Sequence, residues 1–388
     1  MRVAGFTSTG SKRPELLFGP APEGVPTRMV RSAGCKVQGA DGREYLDFIM
    51  ALGAVSLGYA HPEVNRAAME AVQRGTIGPL APVDEEELAA ELGDLMPWLE
   101  EVRFLKTGAE AVAAGVRLAR VATGRDRVLG CGYHGWLDWC SREPGVPSAV
   151  RAMYAELPFN DVEQGSALIR GTGDDLACVV VEPVVESAPS PEWLRMLRDE
   201  TGRIGAVLIF DEIKTAFRVA LGGAAARWGG GGGGGEPDLV VLGKGLANGY
   251  PLSAIGGRAE LMGLVSETWI SSTMATEFVS LAAARATLRV AREARLPERL
   301  AGLGGVLFTG LQELAGRFPN RVSRVGGIPE MCYLRYADEG LSHRVASGCA
   351  RRGLLFKRTA YNFVSLAHDE AAVNTALGIL EDVLVELR

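Results

Sequence analysis

Apolar residues fall along the middle of the chain in short unbroken runs, separated by longer stretches with helical spacing. "VRFLKTG", "DRVLGCG", "LACVVVEPV", "AVLIFDE" and "DLVVLGK" are such runs, and none alternates polar with apolar positions. Strands of that kind are buried on both faces, as in a parallel sheet. Between them, "AEAVAAGVRLARVATG" reads as a helix stopped by Gly124 and "PEWLRMLRDETG" as one stopped by Gly202. The alternation predicts an α/β domain over residues 51–285. The ends are patterned differently. "CKVQGADGREYLDF" has two β-like runs about Asp41-Gly42, a hairpin signal. Beyond residue 285, helical "PERLAGLGGVLFTGLQELAGRF" is mixed with strand-like "EMCYLRYA" and "NFVSLAH". Residues 1–50 and 286–388 are therefore expected to build one smaller α+β domain. Seven glycines, Gly229–Gly235, predict a flexible surface loop.

Composition narrows the function classes. A chain of 388 residues is long enough for two packed domains. With 47% hydrophobic and 23% charged residues, it has the balance of an ordinary globular protein. A net charge of -6 argues against a nucleic-acid footprint. No apolar run of about 18 residues predicts a membrane span, and the first residues lack the apolar core of a signal peptide. The six cysteines contain no CxxC pair and are expected as reduced thiols of a cytoplasmic protein. Histidines 61, 343 and 368 show no metal-ligand spacing, so no metal is expected.

The chain holds six lysines beside 35 arginines, and Lys244 stands at the end of "DLVVLGK". The carboxyl ends of parallel strands are where open α/β sheets bind ligands. Burial there disfavours the ammonium and frees the amine to attack a carbonyl; a lysine snorkelling from a helix start would read the same. Asp211 and Glu212 close "AVLIFDE". A carboxylate in that place either caps the following helix or, as Asp211, faces a ring nitrogen and keeps it protonated, with Ile213 pressed on the ring face. Gly108 and Ala109 lie at a strand-to-helix junction, a common turn whose N–H groups and helix dipole also suit a phosphate. Tyr133 and His134 follow another strand, placed either to stack on a flat ring or to fill a core or loop. In chain order these are a phosphate loop, an aromatic, a carboxylate and a lysine, each just past a buried strand. Together they point to pyridoxal phosphate held as a Schiff base on Lys244.

With these residues in view, the chain resembles the class III aminotransferases, enzymes of the fold type I pyridoxal-phosphate (PLP) group, and within them the glutamate-1-semialdehyde aminomutase branch. The resemblance runs through "DGREYLDF", "LGYAHPEV", "VRFLKTGAEAV", "RLARVATGRD", "YHGW", "LPFNDVE", "VVVEPVV", "LIFDEIKTAFR", "PDLVVLGKGLANGYPLSAIGG" and "FVSLAHDE", nearly the whole chain. It implies an α/β large domain, with a mostly parallel seven-stranded sheet between helices, beside a small α+β domain from both chain ends. It implies that Lys244 forms the internal aldimine and that Asp211 pairs with the pyridine nitrogen. Tyr133 or His134 would stack on the ring with Ile213 on its other face, and Gly108 and Ala109 would hold the phosphate. Glu182 matches a family glutamate near the cofactor, and Asn160 a residue lining the substrate side. Thr273 matches a threonine that reaches the phosphate of a second subunit, which implies a homodimer with shared active sites. The family's Asn-Pro just after it is Glu277-Phe278 here.

By the same resemblance, Lys244 moves a proton between substrate carbon and cofactor, and an amino group passes from donor to acceptor. Three departures separate the chain from the aminomutases. The stretch "YHGWLDWCSREPGVPSAV" is short where they carry a long mobile loop; Ala360 replaces a glutamate before "FVSLAH"; and Leu52 replaces an early tryptophan. The expectation is an intermolecular aminotransferase, with glutamate or alanine as donor and a ketone or aldehyde as acceptor, such as a sugar or cyclitol of specialised metabolism. Alternatives are the aminomutase reaction, or a racemase, epimerase or decarboxylase on the same fold. Arg358, in "LLFKRTAYNF" with Lys357 and Asn362, either clamps a donor carboxylate bidentately or lies on a solvated basic surface. Arg13 falls in the N-terminal substrate segment of the resemblance.

Overall fold

The computed structural model describes residues 3–229 and 235–387, so positions 230–234 of the expected glycine loop lie outside the described residues. The chain divides into two compact units, Glu63–Pro297 and Met1–Pro62 with Glu298–Arg388.

The larger unit is built on seven strands: β1 (Glu101–Leu105), β2 (Arg127–Cys131), β3 (Tyr154–Glu156), β4 (Leu176–Val181), β5 (Val207–Asp211), β6 (Leu239–Leu242) and β7 (Ser253–Gly257). Their order is β1-β7-β6-β5-β4-β2-β3. Strands β3, β2, β4, β5 and β6 pair in parallel, whereas β7 runs antiparallel to both β1 and β6. Every residue of β4 to β7 is buried; of these four strands, β4 to β6 were signalled by unbroken apolar runs and β7 was not. Four helices of this unit are used below: α1 (Gly108–Thr123), α2 (Pro191–Ile204), α3 (Gly223–Trp228) and α4 (Phe278–Glu293). Alternate strand residues serve opposite faces. Cys178, Val180, Val207 and Ile209 pack with Val112, Val116 and Leu118 of α1. Val179, Val181, Leu208 and Phe210 pack with Trp193 and Leu197 of α2. Each such aliphatic side chain contributes about 1.5–3 kcal/mol by leaving water.

Helix α1 begins with a capping box. Thr107 Oγ1 accepts from Glu110 N at 3.3 Å, and the Glu110 carboxylate accepts from Thr107 N at 2.9 Å. It ends at Gly124, φ 66°. Gly202 does not stop α2, contrary to the sequence expectation. The helix runs on to Ile204, and Gly205, φ 68°, is the left-handed cap. The cost of an internal glycine, about 1 kcal/mol, is outweighed by the buried stripe of Trp193, Leu194, Leu197 and Thr201 that the last turn extends.

In the smaller unit the hairpin Lys36–Gly39 and Glu44–Asp47 forms with Gly42 at the turn. Met29–Ala33 adds on one side, and Leu354–Leu355 lies parallel to Glu44–Asp47, so both chain ends share one sheet. A second sheet pairs Met331–Tyr336 with Val322–Ile328 and Asn362–Phe363. Residues 50–53 adopt four consecutive left-handed conformations, φ 46°, 50°, 62° and 84°. Asp47 holds this bend: Oδ1 accepts from Ile49 N at 2.7 Å, and Oδ2 from Met50 N at 3.1 Å and the Tyr59 hydroxyl at 2.7 Å. Burial pushes the Asp47 carboxyl up to about 6, against the pull of those three bonds. Left-handed backbone costs a residue with a side chain about 1–2 kcal/mol, and such strain persists only where the surrounding structure fixes it. No helix among the described residues is long and apolar enough to cross a membrane. No group of three or more His, Cys, Asp and Glu among them could hold a metal ion.

Candidate active site

The carboxyl ends of β2, β4, β5 and β6 present Tyr133 and His134, Glu182, Asp211 and Lys244 in turn. Lys244 opens a tight turn, Lys244–Ala247, with φ 41°, a left-handed conformation unusual for so long a side chain. Burial, and next the positive charge of Lys214, pushes its amine down to about 8; Arg218 acts the same way, while Glu182 and Asp211 oppose. An amine tuned in this manner is neutral, and so nucleophilic, to an appreciable fraction close to neutral pH.

The two carboxylates that close β5 divide the tasks the sequence left open. Glu212 is the helix cap: Oε2 accepts from Ala224 N and Oε1 from Ala225 N, both at 2.9 Å, at the start of α3. The Thr215 hydroxyl also donates to it. Asp211 Oδ2 instead lies 2.8 Å from His134 Nδ1, with both side chains almost wholly buried. Its other oxygen accepts from Ile213 N at 3.2 Å. His134 is thereby taken out of the stacking role offered to it. Its ring lies nearly parallel to Trp139, 6.1 Å between centroids at 24°, and its Nε2 is buried without a hydrogen-bond partner. Of the two aromatics, Tyr133 presents the open ring, 70% exposed.

At the other end of the site the capping box consumes the N–H groups of Thr107 and Glu110. Gly108 and Ala109 are the first two residues inside α1, and helix geometry gives their N–H groups no intrahelical acceptor. They stand at the positive end of a 16-residue helix, a ready anion site. Ser253 Oγ donates to Thr107 O at 2.8 Å and so ties the turn to β7. A Cβ at position 108 would lie 2.5 Å from Ile213 Cδ1, so Ile213 would have to turn aside to admit one. Ile213 thus sits directly against the helix start.

Two ion pairs were not signalled in the sequence. Lys214 Nζ lies 2.9 Å from Glu182 Oε1, and Glu182 Oε2 accepts from Tyr133 N at 3.0 Å. Lys106 Nζ lies 2.7 Å from Glu277 Oε1. Glu277 also caps α4, accepting from Val279 N at 2.7 Å and Ser280 N at 2.9 Å. Glu277, where the resemblance led one to expect an asparagine, is thus paired with a lysine just before the α1 turn. Thr273 lies exposed in the turn that precedes α4.

Other expected residues are used differently. Asn160 spends its amide on bracing the 187–190 loop: Oδ1 accepts from Ser190 N at 2.9 Å and Nδ2 donates to Ala188 O at 3.0 Å. In the smaller unit, Arg358 is buried rather than on a solvated surface, and its Nη1 donates to Ser342 Oγ at 3.2 Å. Asn362 exchanges two hydrogen bonds with the Lys357 backbone, at 2.6 and 3.0 Å. Arg13 is half-buried, with its guanidinium against Gly5.

Comparison with known proteins is consistent across sequence and structure. The family model for aminotransferase class-III matches residues 20–384. A glutamate-1-semialdehyde 2,1-aminomutase of Methanothermobacter thermautotrophicus is 34% identical over 391 residues, covering 92% of this chain and 91% of the relative. The FumI protein of Sphingopyxis sp. MTA144, solved in its PLP internal aldimine form, has a TM-score of 0.91 at 26% identity, over 99% of this chain and 92% of that one. A transaminase with PLP bound has a TM-score of 0.87 at 27% identity, over 99% and 95% of the two chains.

Proposed function

Because the chain belongs to the class III aminotransferase family and shares the α/β fold of its PLP-dependent members, we propose that it moves amino groups with PLP held on Lys244. The residues present fit that group. Lys244 offers an amine pushed down to about 8, at the end of the strand next to Asp211. The first two N–H groups of α1 are left for a phosphate, and the buried His134 Nε2 still seeks a polar partner. Bound there, PLP would supply an aldehyde that captures amines and a ring that takes up electrons from the substrate carbon.

The chain's own residues divide the remaining work. Lys244 would hold the group's aldehyde carbon and carry a proton to and from the substrate carbon. Asp211, braced by His134, would keep the ring nitrogen protonated. Gly108 and Ala109 would bind the phosphate, with Ile213 and Tyr133 on the two ring faces. Glu182, held by Lys214 and the Tyr133 backbone, would stand near the cofactor. Thr273 of a second copy would complete the phosphate site in a homodimer. That copy would also cover Trp269, 89% exposed, and Met274 beside Thr273. The observation that carries the reading is the placing of the Lys244 amine and the buried Asp211 carboxylate at the ends of adjacent strands.

The first reading of the outcome is transfer between two molecules, with glutamate or alanine as donor. It is supported by the short path from Gly135 to β3, which contains only turns and the helix Ser148–Arg151, and by Leu52 and Ala360. A second reading, internal transfer of the aminomutase kind, is favoured by the name of the Methanothermobacter relative. That name supports it more strongly than anything supports a sugar or cyclitol acceptor. The test mixes purified enzyme with L-glutamate, L-alanine or glutamate-1-semialdehyde and follows cofactor absorbance and keto-acid release. Keto acid from an amino-acid donor supports the first reading; isomerised semialdehyde without keto acid supports the second. Full turnover in Lys244→Ala would overturn both.

A further inference from the structure

Lys214 has no part in the chemistry assigned above, yet its ammonium and the Glu182 carboxylate are only 12% and 6% exposed. Glu182 is fixed from two more directions: Oε2 accepts from Tyr133 N, and its own N–H donates to Cys131 O at 2.8 Å. A buried ion pair of this kind stabilises a fold little better than two apolar side chains of the same size. The turn that carries Lys214 is already held by the Asp211–Ile213 bond and by the bonds from Glu212 to α3. What distinguishes the pair is its place, at the ends of β4 and β5 beside Lys244. Strand β5 pairs with β6, and Ile213 packs against Gly243, so Lys214 and Glu182 stand beside the Lys244 turn. The charges that act on Lys244 are Lys214, Glu182, Asp211 and Arg218, two of each sign, with Asp211 itself paired to His134. Without Lys214 the nitrogen would face two carboxylates and one guanidinium.

On the reading of Lys244 as the cofactor lysine, we infer that Lys214 is a positioning residue that clamps Glu182 against the Tyr133 backbone and sets, by its charge, how readily the Lys244 nitrogen takes up a proton. A nitrogen that must accept and release a proton works best when that balance lies near the ambient pH.

The experiment titrates the visible absorbance of the cofactor-loaded protein against pH in the wild type and in Lys214→Met, Lys214→Gln, Lys214→Arg and Glu182→Gln. Removal of the ammonium raises the midpoint by about one pH unit, as expected for loss of a neighbouring like charge; arginine restores it, and Glu182→Gln shifts it the opposite way. The acid limb of the kcat profile moves with the midpoint. A midpoint unmoved in Lys214→Met and Lys214→Gln overturns the inference, even if those variants lose stability. Should Lys214→Met fail to fold, an unmoved midpoint in Glu182→Gln does the same. A visible absorbance that survives unchanged in Lys244→Ala sinks the assignment of Lys244 itself, so the two failures are distinguishable.

Discussion

The ion pair between Lys106 and Glu277 can be tested with a double-mutant cycle. Nζ and Oε1 are 2.7 Å apart, and 14% and 12% of the two side chains are exposed. Removing one member of a buried pair costs about 3–5 kcal/mol, because the other charge is left stranded. Partial exposure, and the two backbone N–H groups that still solvate Glu277, reduce the expected cost of Lys106→Met to about 2 kcal/mol. Glu277→Ala also removes the cap of α4, worth about 1 kcal/mol, and so costs about 3 kcal/mol. In the double variant neither ion is stranded. Its cost should fall short of the two single costs together by about 2 kcal/mol.

The pH dependence gives an independent sign. Burial pushes the Glu277 carboxyl up, but the bonds from Lys106 and Ser280 and the charge of Lys106 outweigh it and hold the group below the usual range. A carboxyl depressed on folding adds stability above its unfolded value of about 4.3, which is lost as pH falls through the folded value. The gap between wild type and Lys106→Met should therefore be full at pH 7 and narrow below about pH 4. Calorimetric unfolding would show Lys106→Met melting about 4–8 °C lower at pH 7, by the usual scaling for a unit of this size. Strictly additive costs, or a gap that persists unchanged in acid, would refute the reasoning.

Three further outcomes are expected. In cofactor-free protein, Lys244→Met should raise the melting temperature at pH 7: the cost of burying this ammonium is full below about 8 and relieved as pH rises towards 10.5, so the gain should fade over that window. A gain that grows with pH would contradict the assignment of burial as the dominant cause. Gly108→Ala, whose Cβ would meet Ile213 Cδ1 at 2.5 Å, should weaken cofactor binding at least about tenfold, equivalent to about 1.4 kcal/mol, in an equilibrium titration; unchanged affinity would mean that Ile213 yields without consequence. His134→Ala strips Asp211 of a hydrogen bond worth about 1.5–3 kcal/mol, so the single-turnover rate with an amino donor should drop about 10- to 100-fold; an unaltered rate would count against a bracing role.

How far these features could be read from the chain depends on the distance over which each is specified. Strands β4, β5 and β6 were legible because burial on both faces writes itself into consecutive residues. Strand β7 was not: "SAIGG" has two glycines among five residues, and it lies between β1 and β6 by a pairing that no local pattern records. The same division runs through the site. Lys244 and Asp211 stand where apolar runs end, so their positions follow from local sequence. Their partners do not, because a chain that crosses over between parallel strands joins groups far apart in sequence. His134 meets Asp211 across 77 positions, and Lys106 meets Glu277 across 171. Which aromatic pairs with Asp211 is decided by that crossing, as is which carboxylate caps α3. A departure such as Glu277 for asparagine therefore looks like a loss when read along the chain. Beside Lys106 it is one half of an ion pair, and unusual residues at such a junction are best judged in pairs.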